Sequence, residues 1–151
     1  MQMNIKDFDP NKSERDGFKA VYWNGGGFAD FKGKIMRRKK GGWCCFGRIY
    51  ISLTTLDGFV EEHTEDHVWI QSREKFAGLK CGDCIAFSGE VAPYRRMDGT
   101  CELGIINPDY VEKIESYDLP SDEKIFEQSM KDLKCDLCLF SEQCNRQFCL
   151  L

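Results

Sequence analysis

The sequence of 151 residues has no uninterrupted apolar run close to the roughly 20 residues that a membrane-spanning helix needs. Residues 1–10 also lack the apolar core of a secretory signal peptide. Histidine is scarce, and His63 and His67 lie in an acidic stretch that we interpret as a solvated turn. No phosphate-binding glycine loop, nucleophile elbow or zinc-protease motif is present. These absences predict a cytoplasmic protein without enzymatic activity.

A surplus of basic residues is absent as well, since the formal net charge is −4. The charges are nevertheless segregated along the chain. Residues 31–50 contain seven basic and no acidic side chains, whereas residues 102–132 contain nine acidic and three basic ones. Such asymmetry indicates one surface suited to an anionic partner, with ordinary solvated surface as the alternative interpretation.

Cysteine, by contrast, is abundant, and its odd count of nine excludes complete internal pairing. In a reducing compartment, clustered cysteines indicate metal or redox chemistry. A short tail cannot fold by burial alone, so four thiolates around a zinc ion would supply its stability. The four candidate ligands are Cys135, Cys138, Cys144 and Cys149. Cys81 and Cys84 form a further Cys-x2-Cys pair, which we interpret as two thiols rather than as a second metal site.

Part of this tail also resembles the Cys-x2-Cys-x5-Cys run of iron–sulfur clusters in some DNA-repair and Cas-type nucleases. That resemblance implies an iron–sulfur cluster as the alternative to zinc, with a fourth ligand from a distant part of the chain. Here Cys149 offers a nearby fourth ligand and no nuclease core is evident, so zinc is favoured.

Turn signals divide the middle of the chain into five strand candidates. They span residues 30–39, 43–56, 66–72, 83–96 and 100–106, the last with a continuation near 110–114. A short helix is expected at residues 73–79, between the third and fourth strands. Residues 18–23 are rich in strand-forming side chains, so they predict one further strand within an N-terminal extension, residues 1–27.

The order β-β-β-α-β-β, with the pattern Gly-Asp-x-Ile-x-Phe-x-Gly-x-Val at residues 82–91, resembles the OB-fold nucleic-acid-binding superfamily, which includes SSB-like and replication-protein-A-like modules. The resemblance covers residues 28–114 and implies a mainly β fold, a five-stranded Greek-key barrel with one helix between strands. It also implies ligand binding on the second and third strands and on the loops joining strands 1–2 and 4–5. After the barrel we expect an acidic linker and helix at 115–134, with Ser121 as its cap, and the four-cysteine tail at 135–151.

Side chains alternate across a strand, so the core side of a strand fixes its solvent side. In the second strand we expect Cys45, Gly47 and the following apolar residues to point inward, which leaves Phe46 outward. Aromatic rings on the outer face would stack on bases while cations neutralise phosphates. The predicted site comprises Lys32, Lys34, Arg37, Arg38, Lys39, Lys40, Phe46, Arg48, Tyr50, Trp69, Tyr94, Arg95 and Arg96. In the alternative interpretation the aromatics are ordinary core beneath terminal segments.

The sequence therefore predicts a non-catalytic protein that binds single-stranded nucleic acid, DNA in preference to RNA. A protein partner for the tail is a further expectation. Two other functions stay open. One is an adaptor whose barrel docks one protein and whose zinc tail docks another, and the other is an accessory subunit of an iron–sulfur-containing DNA-processing complex.

Overall fold

The computed structural model describes residues 5–125 and 127. The chain divides into two compact units, Met1–Leu119 and Pro120–Leu151. In the described part of the second unit, residues 122–125 are helical, and Ser121 Oγ accepts a hydrogen bond from the Lys124 N–H at 3.1 Å, as a helix cap does. No described helix is both long and apolar enough to cross a membrane.

The first unit is mainly β, as predicted. One helix, α1 (Asp16–Asn24), precedes five strands: β1 (Phe28–Lys39), β2 (Trp43–Thr54), β3 (Val60–Gln71), β4 (Cys84–Arg95) and β5 (Cys101–Ile114). The strands form one antiparallel sheet in the order β3-β2-β1-β4-β5. Its two edge strands, β3 and β5, contact each other, so the sheet curls into a barrel that is not fully closed. This is the OB-like architecture that the resemblance implied.

A ladder of five phenylalanine rings runs through the core. Phe18 of α1 packs on Phe31 with centroids 6.3 Å apart, Phe31 on Phe87 at 5.5 Å, Phe87 on Phe46 at 5.2 Å, and Phe46 on Phe76 at 5.3 Å. Such pairs stabilise a core beyond the area that they bury. The ladder begins on α1 and ends in the segment after β3, so those two segments supply the rings at its ends.

The structure differs from the predicted helix and strand positions in two places. Residues 18–23 were expected to form a strand, and the helix was expected at 73–79, but residues 73–78 form turns. Phe76 in these turns is fully buried and occupies the core position expected of that helix. The local sequence favoured a strand because the signal for α1 lies elsewhere: the carboxylate of Glu65, on β3, accepts a hydrogen bond from the Phe18 N–H at 3.1 Å and so caps the helix from outside.

A bulge at Arg48 reverses the facing of β2. Lys32 is opposite Tyr50 while Lys34 is opposite Gly47, so three steps along β2 match two along β1, and Arg48 has a φ of 48°. After the bulge Ile49 points inward as predicted. Before the bulge the alternation is the reverse of the predicted one, so Cys44 and Phe46 point inward.

Phe46 is the main correction that follows from this bulge. Its side chain is fully buried, against the prediction that it would be exposed. The backbone of Gly33 makes room for it, since a Cβ on Gly33 would lie 3.1 Å from the Phe46 side chain. Gly47, predicted to face inward, instead lies beneath Met36, which is exposed. Phe46 therefore belongs to the core and not to a binding surface.

Candidate nucleic-acid interface

The β1–β2 hairpin holds four consecutive cations, residues 37–40, in a fixed position. Gly41 and Gly42 have φ values of 93° and 81°, which favour glycine, and they close the hairpin. A Cβ on Gly42 would lie 2.6 Å from the backbone of Arg73, and the Ser72 N–H donates to the Gly42 carbonyl at 2.9 Å. The hairpin tip is therefore docked on the segment that follows β3.

We define the hairpin face as Arg37, Lys39, Trp43 and Trp69. Lys39 is opposite Trp43 in the sheet, and Cys45 is opposite both Arg37 and Trp69. These residues lie on the outer side, because their neighbours Cys44 and Ile70 are in the core. The Lys39 ammonium lies 4.5 Å from the centroid of the Trp69 ring, and Trp43 is 38% exposed. Trp43 was not among the predicted site residues, because the alternation that places Cys45 and Gly47 inward also places Trp43 inward.

No described acidic side chain forms an ion pair with the cations of this hairpin. Among the described residues, six ion pairs form elsewhere, and none involves residues 37–40. Arg38 is opposite Cys44 and donates to the Phe76 carbonyl at 3.2 Å, so it secures the end of the barrel. Arg37, Lys39 and Lys40 remain as exposed cations beside the two indole rings. A polyanion would be attracted to this charge.

Tyr117 covers the middle of the predicted surface. The Arg48 guanidinium lies 5.4 Å from the Tyr117 ring centroid, and the Tyr117 hydroxyl donates to the Arg48 carbonyl at 2.7 Å. Burial raises the pKa of Tyr117 to about 12. Arg48 is exposed as predicted, but its guanidinium is already stacked on a ring of the same chain. Nothing in the spacing of the sequence indicated that Tyr117 would return over β2.

Two further predicted site residues, Lys32 and Tyr50, contact each other, and Tyr50 also forms a hydrogen bond with Glu62. The Lys32 ammonium lies 5.2 Å from the Tyr50 ring centroid, and the Tyr50 hydroxyl donates to the Glu62 carboxylate at 2.5 Å. Burial, followed by the bond to Glu62, raises the pKa of Tyr50 to about 12. Lys34 is half-buried in the centre of the sheet, opposite Gly47. A carboxylate beside the ring makes this part of the face less suited to phosphate than the hairpin face is.

Tyr94, a predicted site residue near the β4–β5 turn, is held by the segment before α1. The ring of Tyr94 lies on Gly104, where a Cβ would meet it at 2.6 Å. Arg15 donates to the Tyr94 hydroxyl at 3.2 Å and to the Leu103 carbonyl at 2.7 Å. Tyr94 is thus partly buried and serves the packing of the N-terminal segment. Sequence reasoning missed Arg15, which lies outside every strand candidate.

Some charged side chains near this turn form contacts within the protein. Glu102 is buried, and it accepts hydrogen bonds from the Ser13 hydroxyl and from the Glu14 N–H. Burial of Glu102 opposes ionisation, but these bonds outweigh it and hold the pKa of the carboxyl below its usual value. Arg96 lies 3.8 Å from Glu102, so part of its charge is compensated, while Arg95 is exposed. The turn therefore contributes less uncompensated charge than the hairpin face.

The predicted metal ligands of the tail, Cys135, Cys138, Cys144 and Cys149, lie outside the described residues. Within residues 5–125 and 127, no group of three potential ligands is close enough to hold a metal ion. Burial raises the pKa of both Cys44 and Cys45, which favours the neutral thiol.

The two histidines lie within β3 and not in a turn, which corrects that interpretation. His63 is buried with its Nε2 atom 3.1 Å from the Glu61 carboxylate, and the Nδ1 atom of His67 is 2.8 Å from Asp66. Each histidine is therefore engaged by a carboxylate of the same strand.

The chain is similar to solved structures but matches no family model. No family model and no curated protein matches the chain. Two crystal structures of the mitochondrial single-stranded DNA binding protein Rim1 from S. cerevisiae are similar to it. Each match covers 60% of this chain and 96% of that chain at 12% sequence identity, with TM-scores of 0.32 and 0.31. Similarity at this level does not itself assign a function.

Proposed function

We propose that the chain binds single-stranded nucleic acid at the hairpin face, without catalysis. The observation that supports this most directly is the placement of a lysine ammonium on the Trp69 ring, beside a second exposed indole, on a hairpin whose cations form no ion pair among the described residues. Aromatic platforms combined with backbone-tracking cations are typical of proteins that bind single strands.

The interaction energies favour a base stacked on Trp69 over the contact between Lys39 and Trp69. An exposed cation–ring contact contributes about 0.5–1 kcal/mol, whereas a base stacked on an aromatic ring contributes about 1–3 kcal/mol. A base that displaces Lys39 from Trp69 leaves the ammonium beside the strand, where it can neutralise a phosphate. Trp43 and Trp69 are diagonal neighbours across β2 and β3, so their Cβ atoms are expected about 7–8 Å apart, within reach of one bound segment.

Oligodeoxythymidine binding measured at several salt concentrations tests the proposal. Each phosphate neutralised on a single strand contributes about −0.7 to the slope of log K against log salt. Replacing Arg37→Ala together with Lys40→Ala should reduce that slope by about 1.4. The matched control, Lys12→Ala with Lys80→Ala, removes the same charge from exposed sites outside the hairpin face and should leave the slope unchanged.

Trp69→Ala tests the stacking contribution separately. It should weaken oligodeoxythymidine binding roughly 5- to 150-fold, which corresponds to about 1–3 kcal/mol, at every salt concentration. Salt-independent binding, or equal losses in the two double variants, would contradict the proposal. Oligouridine of the same length decides between DNA and RNA, and a higher affinity for oligodeoxythymidine is the expected result.

A further inference from the structure

A second surface of the barrel has a different chemistry. Two adjoining depressions share Asp30, Ser52, Ser88 and Tyr110, so they form one groove across the outer side of β1, between β2 and β5. The groove extends along β1 from Phe28 to Lys32, which corresponds to about 13 Å of strand. That length suits about four residues of an extended peptide.

Tyr110 forms a wall of this groove in a costly conformation. Its φ is 51°, and that of Asn107 is also 51°, which places two non-glycine residues of β5 in the left-handed region. Asparagine adopts this region readily, but for Tyr110 the conformation costs about 1 kcal/mol or more. The Tyr110 side chain is 82% exposed, so burial offsets little of this cost. Phe28, which lines the same end of the groove, is 63% exposed. Strain that presents an exposed ring over a groove points to a ligand.

The charge of the groove at its Phe28 end suits a cation rather than a nucleic-acid backbone, whereas Lys32 lines the other end. At the Phe28 end the lining contains the carboxylates of Asp30, Glu90 and Asp109 and no basic side chain. Lys75 lies 3.1 Å from Asp109 and neutralises it. Asp30 and Glu90 form no ion pair with any described residue. Two uncompensated carboxylates between two exposed rings attract a lysine or arginine side chain through both its charge and its contact with the rings.

We propose that this groove binds an extended, cationic peptide segment of a partner protein. A basic side chain of the peptide lies against Asp30 and Glu90, and its neighbours pack between Phe28 and Tyr110. Ser52 and Ser88 also line the groove, and the Ser88 hydroxyl donates to the Asp109 carbonyl at 3.4 Å. The hairpin face and this groove share no residue, so one barrel can hold a nucleic acid and a protein at once.

The test uses two fluorescein-labelled peptides of identical length, one alternating lysine and arginine with proline and the other with glutamate at every basic position. Anisotropy titration of the full chain should detect binding of the basic peptide only. Asp30→Asn with Glu90→Gln should weaken that binding at least fivefold. Asp57→Asn with Glu74→Gln makes the same charge change at exposed positions outside the groove and should have no such effect. Equal losses in both double variants would show nonspecific attraction to an acidic protein and overturn the proposal.

Tyr110→Gly separates binding from folding. Glycine relieves the left-handed backbone, so the free energy of unfolding should not fall, yet peptide affinity should fall at least fivefold. Amide chemical shifts should change at residues lining the groove when the basic peptide is added. Shifts confined to other surfaces would contradict the proposal. Arg37→Ala with Lys40→Ala should leave peptide binding unchanged, so failure here and failure of nucleic-acid binding are distinguishable.

Discussion

Replacing Glu65→Gln should change how the stability of the protein depends on pH. The Glu65 carboxylate is half-buried against the start of α1, where it accepts hydrogen bonds from the backbone of Phe18 and Gly17. Burial is the larger effect, and it raises the pKa of Glu65 from 4.5 to about 7, while the backbone bonds and Arg15 oppose the rise. Asp16 at the helix start adds to it.

The direction of the change in stability with pH follows from the raised pKa of Glu65. The folded protein binds the Glu65 proton more tightly than the unfolded chain does, so the stabilisation is complete below pH 4.5 and is lost as the pH rises to about 7. A pKa difference of this size corresponds to about 3 kcal/mol. Because part of the side chain is exposed to solvent, we expect about 2 kcal/mol. Above pH 7 this contribution should be constant.

Urea unfolding between pH 5 and 8 at constant ionic strength, followed by tryptophan fluorescence, measures the effect. The native chain should lose about 2 kcal/mol more than the Glu65→Gln variant over this range, and the variant should be the more stable at pH 8. The difference between the two proteins removes the contributions of all groups that they share. Parallel curves for the two proteins would refute the reasoning, because the carboxyl would then titrate alike when folded and unfolded.

Three further outcomes follow from single features. Phe46→Ala should lower the free energy of unfolding by about 3–5 kcal/mol in urea, whereas Trp69→Ala should cost much less, and equal losses would contradict the facing of β2. Gly17→Ala should lower the melting temperature, because its Cβ would lie 2.6 Å from the Thr64 carbonyl oxygen; an unchanged melting temperature would show that α1 can shift. Purified protein should contain one zinc ion per chain and lose it in Cys138→Ser, while iron with visible charge-transfer absorbance would favour the cluster.

The fold could be predicted because its signals are local. Glycine-containing turns mark the ends of the strands, and apolar alternation marks their inner faces, so five strands in the right order followed from the sequence. The bulge at Arg48 could not be predicted, because one extra residue does not change the strand-forming character of β2. It nevertheless reverses the side of the sheet on which Phe46 lies. The inward-facing glycine at position 33, whose missing side chain leaves room for the Phe46 ring, was the available signal.

The candidate site could be predicted only in part. The basic hairpin and Trp69 required no more than charge pattern and strand parity, and the structure brings them together. The cover over Arg48 could not be foreseen, because Tyr117 reaches it from 69 residues away in the chain. Likewise α1 depends on Glu65, which is 47 residues from the N–H that it caps. Contacts at such separations leave no trace in local propensity.

The helix that completes the core is synthesised before the strands on which it docks. Its partners lie 47 residues later at Glu65 and, through Arg15, 88 residues later at Leu103. The contacts of Arg15 with β5 can therefore form only after Leu103 has been synthesised. Loop closure over such distances slows folding, so docking of α1 should follow formation of the local hairpins.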